Sequence, residues 1–377
     1  MLNVMVPIFE QTSAGLRDWF VQSGLAAYRA GQVRKWLFQK RAAGFDEMTD
    51  LPVRLRERLA AEFQVWTTQV INHRESADGS EKLLLELGDD QRIECVLLRD
   101  DKEHCTACIS TQVGCAMGCA FCATGIDGFV RNLTTGEIIE QMLQLQRLLH
   151  AVGGDSSRRS RLDSKTIGDG SRLLQEKNRE EGERLSHVVV MGMGEPLLNL
   201  DSLLPALASA ADRDGLGIGA RRITISTVGL PEGIRRLARE NCQYHLAVSL
   251  HAANDSLRNE IVPANRGFGI ATILAAADDY FEQTGRRVTF EYVLISGVND
   301  RPEHAGELVK LLRGRPALVN LIPYNPVPGL PYRTPSSSVT ARFVETLTQG
   351  GLNVNIRHRK GDRIAAACGQ LRRGSRG

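Results

Sequence analysis

The chain has 377 residues, of which 42% are hydrophobic, and its formal net charge at neutral pH is +3. This composition predicts a globular protein with a large core and two or three domains, and it excludes a disordered or fibrous chain. Because no apolar run reaches membrane-spanning length and the start lacks a signal-like pattern, we expect a cytoplasmic monomer without a membrane partner.

The first stretch, residues 1–77, has the apolar spacing of amphipathic helices. The segments GLRDWFVQSGL, GQVRKWLFQKRAAG and LPVRLRERLAAEF repeat large apolar residues every three or four positions, with glycine or proline between them. We therefore predict a small N-terminal helical domain. Its aromatic residues are assigned to the core, because aromatics at helical spacing are far more often packed than stacked on bases.

The pattern then changes to the alternation typical of strands. KLLLELG and RIECVLLRD flank an Asp-Asp turn, which predicts a β-hairpin over residues 78–100 that carries Glu94.

The next motif, CAMGCAFC, places Cys115, Cys119 and Cys122 within eight residues. Eight cysteines in the whole chain are too few for a disulfide scaffold, so clustering favours metal binding or catalysis. Structural zinc needs four closed ligands, and no second pair lies near. Three thiolates on a [4Fe-4S] cluster leave one iron open to another ligand. An incomplete zinc site or a chance grouping remains the alternative from these residues alone.

Strands and helices alternate beyond the cysteines. LTTGEIIEQMLQLQRLLH predicts a helix that begins with a capping box, in which Thr134 and Glu137 exchange hydrogen bonds. Five β-branched segments follow, separated by helical patterns: HVVVMG, RITIST, HLAVSL, VTFEYVL and LVNLIP. The alternation predicts an α/β fold with a parallel sheet, open or closed into a barrel. Polar or glycine-rich words end nearly every strand, which predicts one pocket at the strands' carboxyl ends.

One segment departs from this alternation. Residues at about 153–183 are polar, charged and nearly free of aromatics, so we predict an exposed insertion.

The cysteine motif together with GMGEP resembles the radical S-adenosylmethionine (SAM) superfamily. In that superfamily SAM chelates the open iron of the cluster. The resemblance implies a partial (β/α)6 TIM-type barrel as the core, here residues 101–377 with a C-terminal extension. Gly192 and Gly194 would permit close approach of the backbone, and Glu195 would supply an anion for the SAM ammonium.

A longer series of sequence motifs resembles those of the RlmN family. These words include VGCAMGCAFCATG, VVMGMGEPLLN, EYVLISGVND, NLIPYNPVPG and AAACGQL, and GQVRKWLFQ in the helical region is similar as well. The resemblance implies a radical SAM methyltransferase that methylates carbon 2 of adenosine in 23S rRNA and in tRNA through a methylated cysteine. It also implies a [4Fe-4S] cluster, two SAM molecules per turnover, an N-terminal domain that binds RNA, and an electron donor such as flavodoxin or ferredoxin.

The same resemblance assigns roles to residues. Cys115, Cys119 and Cys122 would ligate the cluster. Cys368 matches the methyl-carrying cysteine, Cys108 its resolving partner, and Glu94 the proton acceptor. The expected SAM contacts are Gly194, Glu195, Ser226, Ser249, Leu250, His251 and Asn325.

The remaining cysteines, Cys95, Cys105 and Cys242, receive no role, and Cys105 of the CTAC word is interpreted as incidental. The basic words near the C-terminus suggest contacts with RNA phosphates by Arg357, Arg359, Lys360 and Arg363.

Three other functions stay open on the sequence alone. They are Cfr-like methylation of adenosine carbon 8 in 23S rRNA, an RNA-binding iron–sulfur protein without catalysis, and a zinc-dependent hydrolase.

Overall fold

A ten-stranded sheet forms the centre of the computed structural model, which describes residues 5–100, 104–151, 183–357, 361 and 364–372. The strands are β1 (Val6–Pro7), β2 (Phe63–Gln64), β3 (Gln69–Glu75), β4 (Glu81–Glu86), β5 (Arg92–Arg99), β6 (Cys105–Cys108), β7 (Gln112–Gly114), β8 (Phe129–Asn132), β9 (Leu185–Val190), β10 (Ile223–Thr227), β11 (His245–Ser249), β12 (Val288–Leu294), β13 (Ala317–Pro323) and β14 (Val354–Ile356). The helices are α1 (Ser13–Gln22), α2 (Arg29–Lys35), α3 (Val53–Glu62), α4 (Ala123–Ile126), α5 (Thr135–Ala151), α6 (Leu200–Ala211), α7 (Pro231–Arg239), α8 (Asp255–Ile261), α9 (Gly269–Thr284), α10 (Pro302–Leu312) and α11 (Ser337–Gln349).

The parallel part of the sheet runs in the order β6, β9, β10, β11, β12, β13 and β14. Helices connect these strands, as parallel pairing requires. The strands from β6 to β13 give the six parallel strands of the predicted partial barrel, and β14 extends it. The α/β prediction is therefore confirmed, and each of the five predicted strand segments forms a strand.

The antiparallel part is a ribbon of β3, β4 and β5 that joins the barrel through β6. The hairpin expected over residues 78–100 is present as β4 and β5. The N-terminal helices end at Glu62, earlier than the expected limit at residue 77. The difference arises because Gln69–Glu75 forms the edge strand β3, whose Val70 and Ile71 have the β-branched side chains that favour an extended backbone.

Helix α5 ties the N-terminal helices to the barrel. Its first turn has the predicted capping box, with the Thr134 N–H donating to Glu137 at 2.9 Å and the Glu137 N–H donating to Thr134 Oγ1 at 3.2 Å. The buried carboxylate of Glu140, one turn further on, accepts hydrogen bonds from the backbone N–H and the hydroxyl of both Thr67 and Thr68, at 2.7 to 3.0 Å. The chain between α3 and the sheet is thus fixed to the barrel by one side chain.

Two buried apolar clusters fill the fold. The larger spans the helical region and the outer face of the sheet, and includes Phe20, Phe38 and Phe63. These aromatics lie in the core, as predicted. The smaller cluster lies around Phe121 and Tyr324, at the end of the barrel where the cysteine loop sits.

The expected insertion lies outside the described residues except for Glu183. No helix in the described part of the chain combines the length and the apolar character that a bilayer crossing requires.

Replacing Glu140 with alanine should lower the free energy of unfolding by about 3 kcal/mol, because the donors of Thr67 and Thr68 lose a charged acceptor while they stay buried. Urea denaturation measures this effect. Glu282→Ala, at an exposed position on α9, is the matched control and should change stability by less than about 0.5 kcal/mol. Equal effects of the two substitutions would contradict a stabilising role of the hydrogen bonds between Glu140 and the two threonines.

Candidate active site

A pocket opens at the carboxyl ends of the parallel strands, where ligand sites of such sheets form. It is lined by most of the predicted site residues: Cys115, Cys119, Cys122, Gly194, Glu195, Ser226, Ser249, His251, Asn325 and Cys368. Three predicted residues, Glu94, Cys108 and Leu250, are outside the lining. A pocket therefore lies at the end of the strands where the sequence predicted one.

The three clustered cysteines lie on the loop between β7 and β8. Gly114 has a φ of 77°, and a Cβ at this position would lie 1.8 Å from the carbonyl oxygen of Gly128. The loop is also tied to the barrel, since the Ala120 N–H donates to the Ile261 carbonyl at 2.9 Å. Because only glycine avoids this clash, the sequence fixes the close crossing that turns the cysteines toward the pocket.

The thiols of this loop lie close enough to affect one another electrostatically. Burial raises the pKa of Cys115 to about 12, and burial together with the charges of Cys122 and Cys115 raises that of Cys119 well above its usual range. Within the described residues, no group of three or more His, Cys, Asp or Glu side chains is arranged to hold a single metal ion. In an iron–sulfur cluster each thiolate binds a different iron, so the thiolates do not have to converge on one point. The three cysteines of the loop therefore fit the ligand set of such a cluster.

The GMGEP segment follows β9 and passes close to the segment of the chain that follows β6. A Cβ on Gly192 would lie 2.7 Å from the Ile109 carbonyl, and one on Gly194, which has a φ of 103°, would lie 2.6 Å from the Gln112 side chain. The segment therefore needs glycine at both positions. As a result, no side chain at these positions separates the backbone from the pocket.

Glu195 lines the pocket with a buried carboxylate. It accepts hydrogen bonds from the backbone N–H of Val228 at 2.8 Å and of Leu197 at 3.1 Å. Burial nevertheless raises the pKa of this carboxyl to about 6. Each carboxylate oxygen has two lone pairs, so Glu195 keeps the capacity to accept a further bond from a cationic ligand.

His251 is a neutral donor in the pocket wall. Burial and the charge of Arg258 lower its pKa to about 3, and its ring packs edge-on against Phe121 at a centroid distance of 4.9 Å. Nδ1 accepts a hydrogen bond from the Val293 N–H at 3.1 Å, so the ring proton must reside on Nε2. The residue has a φ of 59°, and the Asn299 side chain holds its carbonyl at 2.9 Å.

Asn325 provides an unpaired polar atom. Its side-chain nitrogen donates to the Cys368 carbonyl at 3.2 Å, whereas its Oδ1 is buried and has no hydrogen-bond partner among the described residues. A buried acceptor without a partner is costly, so a donor on a ligand in the pocket would fit there. Leu250, by contrast, is fully buried behind the lining, where its carbonyl accepts from Arg258 at 2.9 Å.

Cys368, in the pocket lining, lies near enough to Cys108 for their charges to interact, although the two cysteines lie far apart in the chain. Both are free thiols in this structure. Cys108, at the end of β6, is buried, and burial together with the charge of a Cys368 thiolate raises its pKa to about 12. The positive charge of Arg357 opposes this increase. The structure therefore brings together the two cysteines that the family resemblance paired.

Glu94 lies on the sheet behind this pair. Its Oε1 forms a buried ion pair with Lys82 Nζ at 2.7 Å, and its Oε2 accepts the Arg372 N–H at 3.0 Å. The pairing of Val96 with Cys108 across β5 and β6, and the alternation along β5, place Glu94 and Cys108 on the same face of the sheet.

Three charged residues near the pocket were not recognised from the sequence. Arg258 is fully buried and donates to the carbonyls of Val228 and Ser249, behind the pocket wall. Glu291, in the EYVL word, lines the pocket and accepts from Asn320 at 2.8 Å. The side chain of Arg357, which was predicted to contact RNA phosphates, lines the pocket, where the Cys368 charge raises its pKa. For Glu291, the available signal was a charged residue inside an apolar strand segment.

The other basic residues predicted to hold phosphates, Arg359, Lys360 and Arg363, lie outside the described residues. Cys105 and Cys108 face opposite sides of the sheet, since they are three positions apart on one strand. Burial raises the pKa of Cys105 to about 11, and Cys95 is fully buried, so neither thiol is activated.

Gly194→Ala should weaken SAM binding by about tenfold or more, because the new methyl group collides with Gln112 and the backbone leaves its left-handed conformation. Gly217→Ala is the control, since Gly217 also has a positive φ of 67° but nothing within 4 Å of its Cβ position. Isothermal titration of the two reconstituted variants measures the difference. Unchanged affinity in Gly194→Ala would contradict the close approach at this segment.

Comparison with known proteins agrees with this site. The family profile described as Ribosomal RNA large subunit methyltransferase N-terminal domain matches residues 6–65. A probable dual-specificity RNA methyltransferase RlmN from Rhodopirellula baltica is 53% identical over 95% of this chain and 88% of its own length. One from Moorella thermoacetica is 45% identical over 96% and 95%, respectively.

Among solved structures, a radical SAM methyltransferase from Sphaerobacter thermophilus superposes with a TM-score of 0.87 at 40% identity, covering 97% of this chain and 99% of that one. The radical SAM fold of such enzymes implies SAM and a [4Fe-4S] cluster as cofactors, which the thiols of the loop and the unpaired Asn325 oxygen suit. The chain therefore belongs to the RlmN family of dual-specificity RNA methyltransferases, which are radical SAM enzymes.

Proposed function

We propose that the protein methylates carbon 2 of adenosine in 23S rRNA and in tRNA, and that the methyl group passes through Cys368. The observation that supports this most strongly is that Cys368 lines the pocket together with the three loop cysteines and interacts electrostatically with Cys108. A pocket for SAM alone would need no thiol pair. A pair of thiols next to it suits a reaction in which the enzyme becomes covalently bound to its substrate and has to be released.

The chemistry of the target explains why a radical is needed. Carbon 2 of adenine lies between two ring nitrogens and is electron-poor, so it does not attack the methyl group of SAM as a nucleophile. The [4Fe-4S] cluster, held by Cys115, Cys119 and Cys122, would supply the electron that cleaves SAM to a carbon radical and would take one electron back later in the reaction. The pocket residues bind and orient SAM, with Glu195 on its ammonium and Asn325 accepting from one of its donors.

Cys368 then performs two tasks. Its sulfur first receives a methyl group from one SAM molecule, and this methyl group, after losing a hydrogen atom to the radical from a second SAM, forms a bond to carbon 2. RNA and enzyme are now joined through a sulfur–methylene bond. Glu94 accepts the proton that leaves carbon 2, because it lies on the face of the sheet that carries Cys108 and is held by Lys82.

Cys108 releases the product. Its thiolate attacks the sulfur of Cys368, the sulfur–methylene bond breaks, and its electron pair goes to the methylene carbon, which takes a proton to become the methyl group. A disulfide between Cys108 and Cys368 is left, and a reductant has to open it before the next turnover. Arg357 supports this step, because its charge favours the thiolate of Cys108, whose pKa burial holds high.

The remaining expectations belong to this proposal. We expect the helical region of residues 5–62 to contact RNA, a flavodoxin or ferredoxin to reduce the cluster, and the enzyme to act as a cytoplasmic monomer. The target adenosine has to leave its stack to reach the pocket.

The reconstituted enzyme should convert adenosine to 2-methyladenosine in protein-free 23S rRNA and in tRNA, as identified by mass spectrometry of the nucleosides. Cys368→Ala should abolish methylation while SAM binding persists. Cys242→Ala, which removes a thiol that donates to the Glu240 carbonyl at 3.5 Å outside the pocket lining, should methylate normally. Product methylated at carbon 8, or active Cys368→Ala enzyme, would contradict the proposal.

SAM affinity should also depend on pH through Glu195. The ionised carboxylate binds the ammonium, and burial raises its pKa to about 6, so affinity should be constant above that pH. It should fall by about tenfold per pH unit as the pH decreases below 6, because the carboxyl must lose its proton before binding. Titrations between pH 5 and pH 8 test this with the cluster in place. Glu195→Gln should bind weakly at every pH, and a retained pH step in that variant would contradict the assignment.

A further inference from the structure

Lys82 lies behind the pocket and contacts two parts of the proposed catalytic machinery. Its Nζ is 2.7 Å from Glu94 Oε1 and donates to the Ala365 carbonyl at 3.0 Å. Both side chains of the ion pair are buried, with 8% of the Lys82 and 9% of the Glu94 side chain exposed. A buried lysine needs a partner for its charge, so this contact is specific and not a solvated surface pair.

The ion pair also holds both ends of the segment that carries Cys368. Ala365 is bonded to Lys82 through its carbonyl, and Arg372 is bonded to Glu94 through its N–H at 3.0 Å. Cys368 lies between these two anchors. The position of the methyl-carrying thiol and the orientation of the proton acceptor are therefore set by one pair of side chains on adjacent antiparallel strands.

We propose that Lys82 is a positioning residue for the release half of the reaction, which holds the Glu94 carboxylate in a fixed orientation relative to Cys368. This inference rests on the proposed function. Lys82 and Arg372 each occupy one oxygen of Glu94 and leave lone pairs for the proton from carbon 2.

The proposal predicts where the reaction of Lys82→Met stops. Cys368 should still be methylated and joined to RNA, but the proton should leave carbon 2 slowly, so a covalent RNA–protein adduct should accumulate. Turnover should fall by about a hundredfold, the lower range for loss of general base catalysis. Lys82→Arg keeps the positive charge and should restore most of the turnover with little adduct.

A matched control lies on the same hairpin. Arg99 pairs with Glu81 at 2.7 Å, and Glu81 is the neighbour of Lys82 on β4 but points to the opposite face. Arg99→Met removes an ion pair of similar length without touching Glu94, so it should show no adduct. Cys108→Ala, which cannot form the disulfide, serves as the positive control for adduct accumulation.

The experiment makes three measurements on each variant. Denaturing gels with labelled tRNA measure the adduct, mass spectrometry of the Cys368 peptide measures its methylation, and nucleoside analysis measures the 2-methyladenosine formed. Adduct in Lys82→Met but not in Lys82→Arg or Arg99→Met supports the proposal. Normal turnover of Lys82→Met, or a parallel loss of Cys368 methylation and turnover without adduct, would overturn it. If Lys82→Met does not fold, Lys82→Gln carries the same prediction. Wild-type enzyme that gives neither methylated Cys368 nor 2-methyladenosine would instead refute the proposed function.

Discussion

The docking of the C-terminal segment against the cysteine loop is the contact on which the site depends. The Ala123 N–H donates to the Gly369 carbonyl at 2.8 Å, the Thr124 hydroxyl donates to the Leu371 carbonyl, and Asn325 donates to the Cys368 carbonyl. These bonds involve backbone groups that would otherwise be buried without partners. They hold Cys368 in the lining of the pocket together with the three cysteines of the loop.

The electrostatics of the pocket follow from burial. Burial keeps His251 neutral and makes it a fixed donor, whereas Glu195 is ionised at neutral pH because its pKa reaches only about 6. Arg258 is buried as well, which lowers its pKa to about 10, and it keeps its charge by donating to carbonyls at the ends of β10 and β11. The site therefore offers the carboxyl groups of Glu195 and Glu291, the Arg357 cation, neutral donors and acceptors, and the buried Arg258 behind the wall. This distribution suits a ligand that is itself a cation at one end and polar elsewhere.

Much of this architecture could be predicted from local sequence. The β-branched words became the parallel strands because their apolar side chains are buried on both faces, and Thr134 and Glu137 formed their capping box because both partners lie within one helical turn. The spacing of the three cysteines indicated a metal or catalytic site, but their role as cluster ligands came from the family resemblance. The pairing of Cys368 with Cys108 came only from the family resemblance, since nothing local connects two cysteines so distant in the chain.

The features that could not be predicted from the sequence depend on contacts between distant elements. Lys82 received no role from the sequence, and its burial with Glu94 depends on the packing of the C-terminal segment. Arg258 belongs to an ordinary amphipathic helix pattern, and Arg357 to a basic word that usually indicates a solvated tail. The helical region was predicted to extend to residue 77, but residues Gln69–Glu75 form β3. Pairing with β4 stabilises this strand, all of whose residues are exposed.

The most direct test of the account follows the hydrogen atoms of the methyl group during turnover with SAM whose methyl group is fully deuterated. If the group passes through Cys368 and loses one atom to the radical, the product nucleoside will carry a methyl group with two deuterium atoms, and the missing atom will appear in 5′-deoxyadenosine. A product methyl group that keeps all three deuterium atoms would show direct transfer from SAM and would contradict the central role of Cys368.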